Sequence, residues 1–464
     1  MEKIFTSFIL IGVSLCLFYM NRKYKTACLK RVRLEGLNAF FFDMVFDVLL
    51  FMIVTNYLFP AITHPFFGFS VLYNNAIAPS ELAIVYVVEF ISWIIFYQTF
   101  YTLCKKHRIL NYNLTYNKTL GGIIIFILVL YIFSRLSTLG VQEGEPTQWE
   151  QRLFFIIPFV NIAGYMLAVF IVFAGVDYFP KSIWLLAIGA MLVFFLGAFL
   201  SGIRGAVVNP IVWAAYVVYK LRPSRVRRNY YILFGFVLVV FTLVQPIFMG
   251  FRAISSENIN VVDKIEMAQR IAGNKSLQNT DARYQISNIF EELDYRYGAQ
   301  GTYTVGFYRL VEREGYVGLN CIINSFYTFM PSVLYGGEKP VSTSSDGTME
   351  GMGMYKCVNA IDGSNNMCGF YTSGHAYWEF GVFGVIIFSI IPAFFDFWCI
   401  RIFRRLDIIG LPLYTVIFMK SFTELKMWVS LIVVEFAQFI LPVALLIWFY
   451  SFAKSRRQRR LIVH

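Results

Sequence analysis

Apolar stretches of about 20 residues recur along this chain, at approximately 3–20, 38–58, 81–103, 119–137, 153–175, 182–200, 206–220, 230–249, 376–400, 407–424 and 428–450. A helix rises about 1.5 Å per residue, so about 20 apolar residues cross a hydrocarbon layer about 30 Å thick. The pattern predicts an all-α polytopic membrane protein with about 11 transmembrane helices. One polar block, 250–375, interrupts it and divides the chain into helices 1–8 (1–249), a large extracytoplasmic loop (250–375), and helices 9–11 with a basic tail (376–464).

Within that loop, Ile259, Val262, Ile265, Met267 and Ala268 are spaced for an amphipathic helix over 258–270, and 286–310 mixes aromatic and charged positions similarly. Short helices along the bilayer surface are expected from both. Gly315 to Tyr335 is apolar yet holds Asn320, Asn324 and Pro331, as a re-entrant or cavity-covering segment would. Gly336 to Asn366 is rich in Gly, Ser, Asn and Asp and has no periodicity, which reads as a lid-like loop.

Composition agrees with the pattern: 58% of residues are hydrophobic, 15% charged, and mean hydropathy is +0.61. The net charge of +12 is mainly a topology signal, because 24 of the 40 Lys and Arg cluster in connections that share one side. These include Arg22 to Arg33, Lys105 to Arg108, Lys220 to Arg228, Arg401 to Arg405 and the tail Lys454 to Arg460. Placed in the cytoplasm, they put the amino terminus on the outer side of the membrane and the carboxyl terminus in the cytoplasm. Each run abuts a span, so no nucleic-acid partner is expected. The first span is followed by basic residues and no small-residue cleavage site, and reads as a signal anchor. The sequons at Asn113 and Asn117 fall on the cytoplasmic side and read as chance matches.

Cysteine spacing offers no zinc motif, and no metal site or cofactor is expected. Cys357 and Cys368 lie on the outward side, where they either close a small loop or stay as thiols; Cys321 is left over.

Candidate chemistry collects at the outer ends of the spans. Arg135 closes span 4, Arg204 lies in Ser201-Gly202-Ile203-Arg204-Gly205, Arg252 follows span 8, and His375 precedes span 9 with Glu379 one turn further on. A guanidinium fork holds phosphate oxygens bidentately without losing its charge, and several together suit a pyrophosphate. Span-end arginines also snorkel to the interface with no chemical role. An imidazole at this level serves either as a general base or as a polar cap on span 9.

Four segments carry a resemblance: Ser201-Gly-Ile-Arg-Gly-Ala206, Phe251-Arg252, Tyr327-Thr-Phe-Met-Pro-Ser-Val-Leu-Tyr-Gly336 and His375-Ala-Tyr-Trp-Glu-Phe-Gly-Val-Phe-Gly384. In these, and in its spans with one large loop, the chain resembles the bacterial O-antigen polymerase (Wzy-type) and O-antigen ligase family of membrane glycosyltransferases. The resemblance implies a metal-independent polymerase that moves a growing glycan from undecaprenyl pyrophosphate onto a lipid-linked repeat unit. It also implies membrane lipid, undecaprenyl-pyrophosphate-linked oligosaccharides, a flippase and a chain-length regulator as partners. On that reading Arg204, Arg252 and Arg135 bind the pyrophosphate, His375 activates the acceptor hydroxyl, and Glu379 orients His375 or replaces it. A ligase acting on the lipid A core shares the same features and differs in its acceptor.

The intramembrane charges Asp43, Asp47, Glu89, Asp396, Lys420, Glu424 and Glu435 are costly in lipid and should face the bundle interior, a partner or water. They motivate a rival reading, a lipid-linked-sugar flippase or transporter coupled to ions through buried carboxylates. The polar loop of about 125 residues and the lack of paired broken helices weigh against it.

Overall fold

The computed structural model describes residues 2–59, 61, 77–137, 157–235, 299–320, 371–415 and 441–462, apart from positions 35, 108, 110, 112, 113, 202, 203 and 225. All regular structure among them is helical. The elements are α1 (Glu2–Val32), α2 (Leu37–Ile53) continued by a π-turn (Val54–Leu58), α3 (Pro79–Lys106), α4 (Lys118–Ser137), α5 (Ile157–Ala174), α6 (Lys181–Ser201), α7 (Arg204–Leu221), α8 (Ala299–Glu314), α9 (Thr372–Phe403), a 3-10 turn (Arg404–Ile409) and α10 (Leu441–Ile462).

Among the described residues, four helical stretches are long and apolar enough to cross a membrane: Leu37–Leu58, Ser80–Lys106, Lys118–Leu136 and Ser373–Thr415. Phe159–Ala174, Lys181–Gly197, Pro210–Leu221 and Leu441–Phe452 are apolar but shorter. The chain is therefore a helical membrane protein, while the expected eleven spans exceed what the described helices supply. The expected first span is the amino-terminal part of α1, which continues unbroken through its basic stretch to Val32.

The chain forms two compact units. The first contains α1, α2, α3, α8 and α9 up to Ile402. Its core is aromatic: Phe42, Phe46, Tyr97 and Phe100 pack with ring centroids 5.3 to 6.4 Å apart. Asn21 of α1 donates to the Phe46 carbonyl at 2.9 Å and accepts from the Tyr97 hydroxyl at 2.9 Å, so one buried amide ties three helices together. Asp43 and Asp47, one turn apart on α2, both reach Lys25 of α1, at 3.2 and 2.7 Å, which supplies the partner their burial requires.

The second unit contains α4 to α7, the 3-10 turn and α10. Gly175 ends α5 at φ +80°, a left-handed conformation that suits glycine. The space a side chain would fill there is occupied by Arg222, which donates to the Phe173 carbonyl at 2.9 Å and pairs with Asp177 at 2.6 Å. Asn117 caps α4 by accepting from the Leu120 N–H, and its amide donates to Asp407 at 3.3 Å and to the Tyr450 hydroxyl at 2.7 Å. Arg404, expected in a basic flank, is wholly buried.

Candidate functional site

Helix α9 of the first unit departs from a plain span. Helix α9 is broken at Phe380 and Gly381, where Gly381 takes φ +63°. Residues 372–379 thus form a short arm, and the long arm starts after Gly381. The expected span 376–400 therefore contains a break, and Glu379 lies on the short arm with His375, which was expected just ahead of the span.

The break is stabilised by hydrogen bonds to the carbonyls it leaves open. The last carbonyls of a helix lack partners within it. Here the Trp378 carbonyl accepts from the Val317 N–H at 3.0 Å and the Glu379 carbonyl from the Gly318 N–H at 2.9 Å. Gly381 meets the Tyr316 ring, and a methyl group built on Gly384 would lie 2.8 Å from the Ala376 carbonyl carbon. The two glycines let the chain fold back on itself closely.

Helix α8 lies beside the short arm. The Thr304 hydroxyl accepts from the Tyr371 N–H at 2.8 Å, and Gly374 approaches the Thr304 methyl. Phe307 meets the His375 ring edge-on at 5.1 Å, and Tyr308 stacks on Tyr377 at 4.5 Å. Towards α3, Gly301 packs on Tyr86, and Arg309 grips Glu81 with two hydrogen bonds of 2.9 and 2.8 Å. The hydrogen bonds that Arg309 donates to Glu81 raise the pKa of its guanidinium, which is charged at any physiological pH. A helix was expected within 286–310; the one found, at Ala299–Glu314, buries its apolar face against protein.

His375 and Glu379 are 1% and 0% exposed. The His375 Nδ1 stands 3.9 Å from the Glu379 Oε2, within ion-pair reach when the imidazole is protonated and beyond a hydrogen bond when it is neutral. Phe307 and Trp378 close over the imidazole at 5.1 and 5.2 Å. The pair offers an imidazole and a carboxylate in a dry environment where their mutual influence is strong.

Of the expected pyrophosphate ligands, Arg135 and Arg204 are among the described residues. Arg135 belongs to the second unit, in the last turn of α4, within electrostatic reach of Tyr131 and Tyr165. Arg204 opens α7 in the same unit. Arg252 lies outside the described residues, as do Cys321, Cys357 and Cys368, the remaining segments of the large loop, and Lys420, Glu424 and Glu435.

A second polar cluster was not foreseen beyond its carboxylate. Glu89 of α3, 4% exposed, accepts through Oε1 from the Tyr57 hydroxyl at 3.0 Å and the Trp93 Nε1 at 3.0 Å; Oε2 has no hydrogen-bond partner among the described residues. Tyr57 sits in the π-turn, where the Phe59 N–H reaches the Val54 carbonyl. π-Turns inside helices often mark functional sites. The Tyr371 hydroxyl donates to the Asn56 carbonyl at 2.9 Å, and its ring stacks on Tyr57 at 5.4 Å. The cluster therefore joins the π-turn to the residue that leads into the short arm. Its legible signal is Thr55-Asn56-Tyr57, a polar triplet inside an apolar span.

Among the described residues no group of three His, Cys, Asp or Glu is placed to hold a metal. No family model, curated protein or solved structure matches the chain.

Proposed function

We propose that this chain is a surface-polysaccharide polymerase of the O-antigen type, transferring a growing glycan from undecaprenyl pyrophosphate onto a lipid-linked repeat unit at the periplasmic face. The observation that carries the reading is the His375–Glu379 pair on the short arm, an acid–base couple at the end of the polar loop and next to a span. In the reaction the acceptor hydroxyl oxygen bonds to the anomeric carbon of the donor, and the bond from that carbon to the pyrophosphate oxygen breaks. The hydroxyl proton passes to the His375 imidazole, with Glu379 balancing the charge gained. Arg204, Arg252 and Arg135 are the residues proposed to hold the departing pyrophosphate. Because Phe307 and Trp378 close over the imidazole, the acceptor reaches it only when those rings part.

The test is complementation of a strain lacking its polymerase, scored by the O-chain ladder. His375→Ala and Glu379→Gln should leave core bearing a single repeat unit, as should Arg204→Ala and Arg252→Ala. Full ladders from all four would end the reading, and bare core in the deletion strain would assign the chain to the ligases.

Two observations favour a second reading, a proton-coupled carrier of lipid-linked sugars. Glu89 keeps one buried oxygen without a hydrogen-bond partner among the described residues, and Asp396, 1% exposed within the long arm of α9, keeps both. Their helices meet at Ser92 and Ser389, whose hydroxyls are 2.6 Å apart, and Asp396 follows Ser389 on the same face two turns later. Glu89→Gln together with Asp396→Asn should abolish a proton-coupled carrier and spare a folded polymerase.

A further inference from the structure

Helix α8 touches both the short arm and α3. Contacts from α8 and its following turn to the arm and to Tyr371 just before it include Thr304 to the Tyr371 N–H, Phe307 to His375, Tyr308 to Tyr377, and the Val317 and Gly318 N–H groups to the Trp378 and Glu379 carbonyls. On the other side Arg309 presents its fork to Glu81, far away in sequence at the start of α3. Glu81 is itself held in place, because its Oε2 also accepts from the Ala78 N–H at 2.8 Å and so caps its own helix. The fork against a pre-oriented carboxylate fixes direction as well as distance, which an ammonium at the same place would not do.

We propose that Arg309 and Glu81 are a positioning pair for the transferase site, setting the placement of the His375–Glu379 arm by holding α8 on α3. The inference rests on the transferase reading. Neither residue touches the reacting atoms; they act through Phe307 and through the two backbone caps. Displacing a general base by about 1 Å is enough to reduce turnover about a hundredfold. Loss of the pair should therefore lower kcat far more than it raises KM.

The experiment uses the full-length protein in detergent with lipid-linked repeat units, and carries a second readout that needs no substrate. Ser373 is buried in the arm, so the alkylation rate of Ser373→Cys, followed at that peptide by mass spectrometry, reports whether the arm is exposed. Arg309→Ala is expected to lower kcat at least tenfold with KM within twofold, and to raise alkylation at position 373 at least fivefold. Arg309→Lys, which keeps the charge and loses the fork, should fall between Ala and the wild type in both. The proposal is overturned if Arg309→Ala and Arg309→Lys leave kcat within twofold of the wild type, whatever happens to alkylation. It is also overturned if kcat falls while position 373 stays protected. The wild type and His375→Asn in the same assay separate the two levels: no transfer by the wild type removes the transferase reading, and retained transfer by His375→Asn removes the His375 base, either one taking this inference with it. Abolished transfer in His375→Asn beside an unaffected Arg309→Ala removes the positioning pair alone.

Discussion

Gly384→Ala offers the most direct test of the folded-back arm. The added methyl would sit 2.8 Å from the Ala376 carbonyl carbon, with that carbonyl's oxygen nearer still, and 3.2 Å from the Phe380 Cβ. Non-bonded carbons rest at about 3.5–4.0 Å, so the two arms must separate by roughly 1 Å. The obstructing atoms are backbone and a Cβ, and no rotamer change relieves them. Overpacking of this kind costs about 3 kcal/mol at the upper end of its usual range. Replacing glycine by alanine in a helix returns about 1 kcal/mol, leaving a net loss of about 2 kcal/mol. The internal control is Gly189→Ala in α6, where nothing lies within 4 Å of the added methyl. That substitution should be neutral or stabilising by up to about 1 kcal/mol. Thermal unfolding in detergent and the O-chain ladder are the two assays. Gly384→Ala should unfold at lower temperature and give a short or absent ladder, while Gly189→Ala matches or exceeds the wild type in both. If Gly384→Ala unfolds with the wild type and gives a full ladder, the close approach of the arms is wrong.

Tyr57→Phe removes the hydroxyl that donates to Glu89 and accepts from Trp93 at 2.9 Å. It should destabilise the first unit by about 1–3 kcal/mol, seen as a lower unfolding midpoint, because buried partners lose a hydrogen bond. Gly175→Ala forces a side chain into a left-handed conformation and against Arg222. A loss of at least about 1 kcal/mol is expected, and unchanged thermal unfolding would contradict it. Burial raises the phenol pKa of Tyr308 and of Tyr371 above the ordinary value of 10.0. The stability tied to keeping them neutral is complete below that value and falls as pH rises beyond it, since the unfolded chain ionises first. Unfolding midpoints should hold from pH 7 to about 9 and decline above about 10; in Tyr308→Phe the decline should be smaller.

Much of the helical layout was legible because helix formation and apolar length are local properties. A mainly apolar run over 38–58 or 81–103 has few alternatives in a membrane, and α2 with its π-turn and α3 lie where those runs predict. Asp43 and Asp47 were expected to face the bundle interior, a partner or water, since lone carboxylates in a span are costly, and they pair with Lys25. Less of the candidate site was readable. The i,i+4 spacing of His375 and Glu379 places them on one helical face, and they do meet there. That this face belongs to a separate arm could not be read from Gly381 alone, because glycine is common inside membrane helices.

By itself the sequence determined that the chain is helical and membrane-embedded, and that imidazole and carboxylate stand together at the end of the polar loop. Only the tertiary structure decided that α9 breaks at Gly381, that Val317 and Gly318 satisfy the carbonyls left open there, and that Arg309 finds Glu81. The Glu89 cluster is of the same kind, since it needs a hydroxyl from a π-turn 32 residues away. The physical reason is one of range. Hydrophobic length and helical spacing act over a few turns and can be counted along the chain. A hydrogen bond between distant helices depends on where they cross, and that is set by the packing of side chains that only the folded unit brings together.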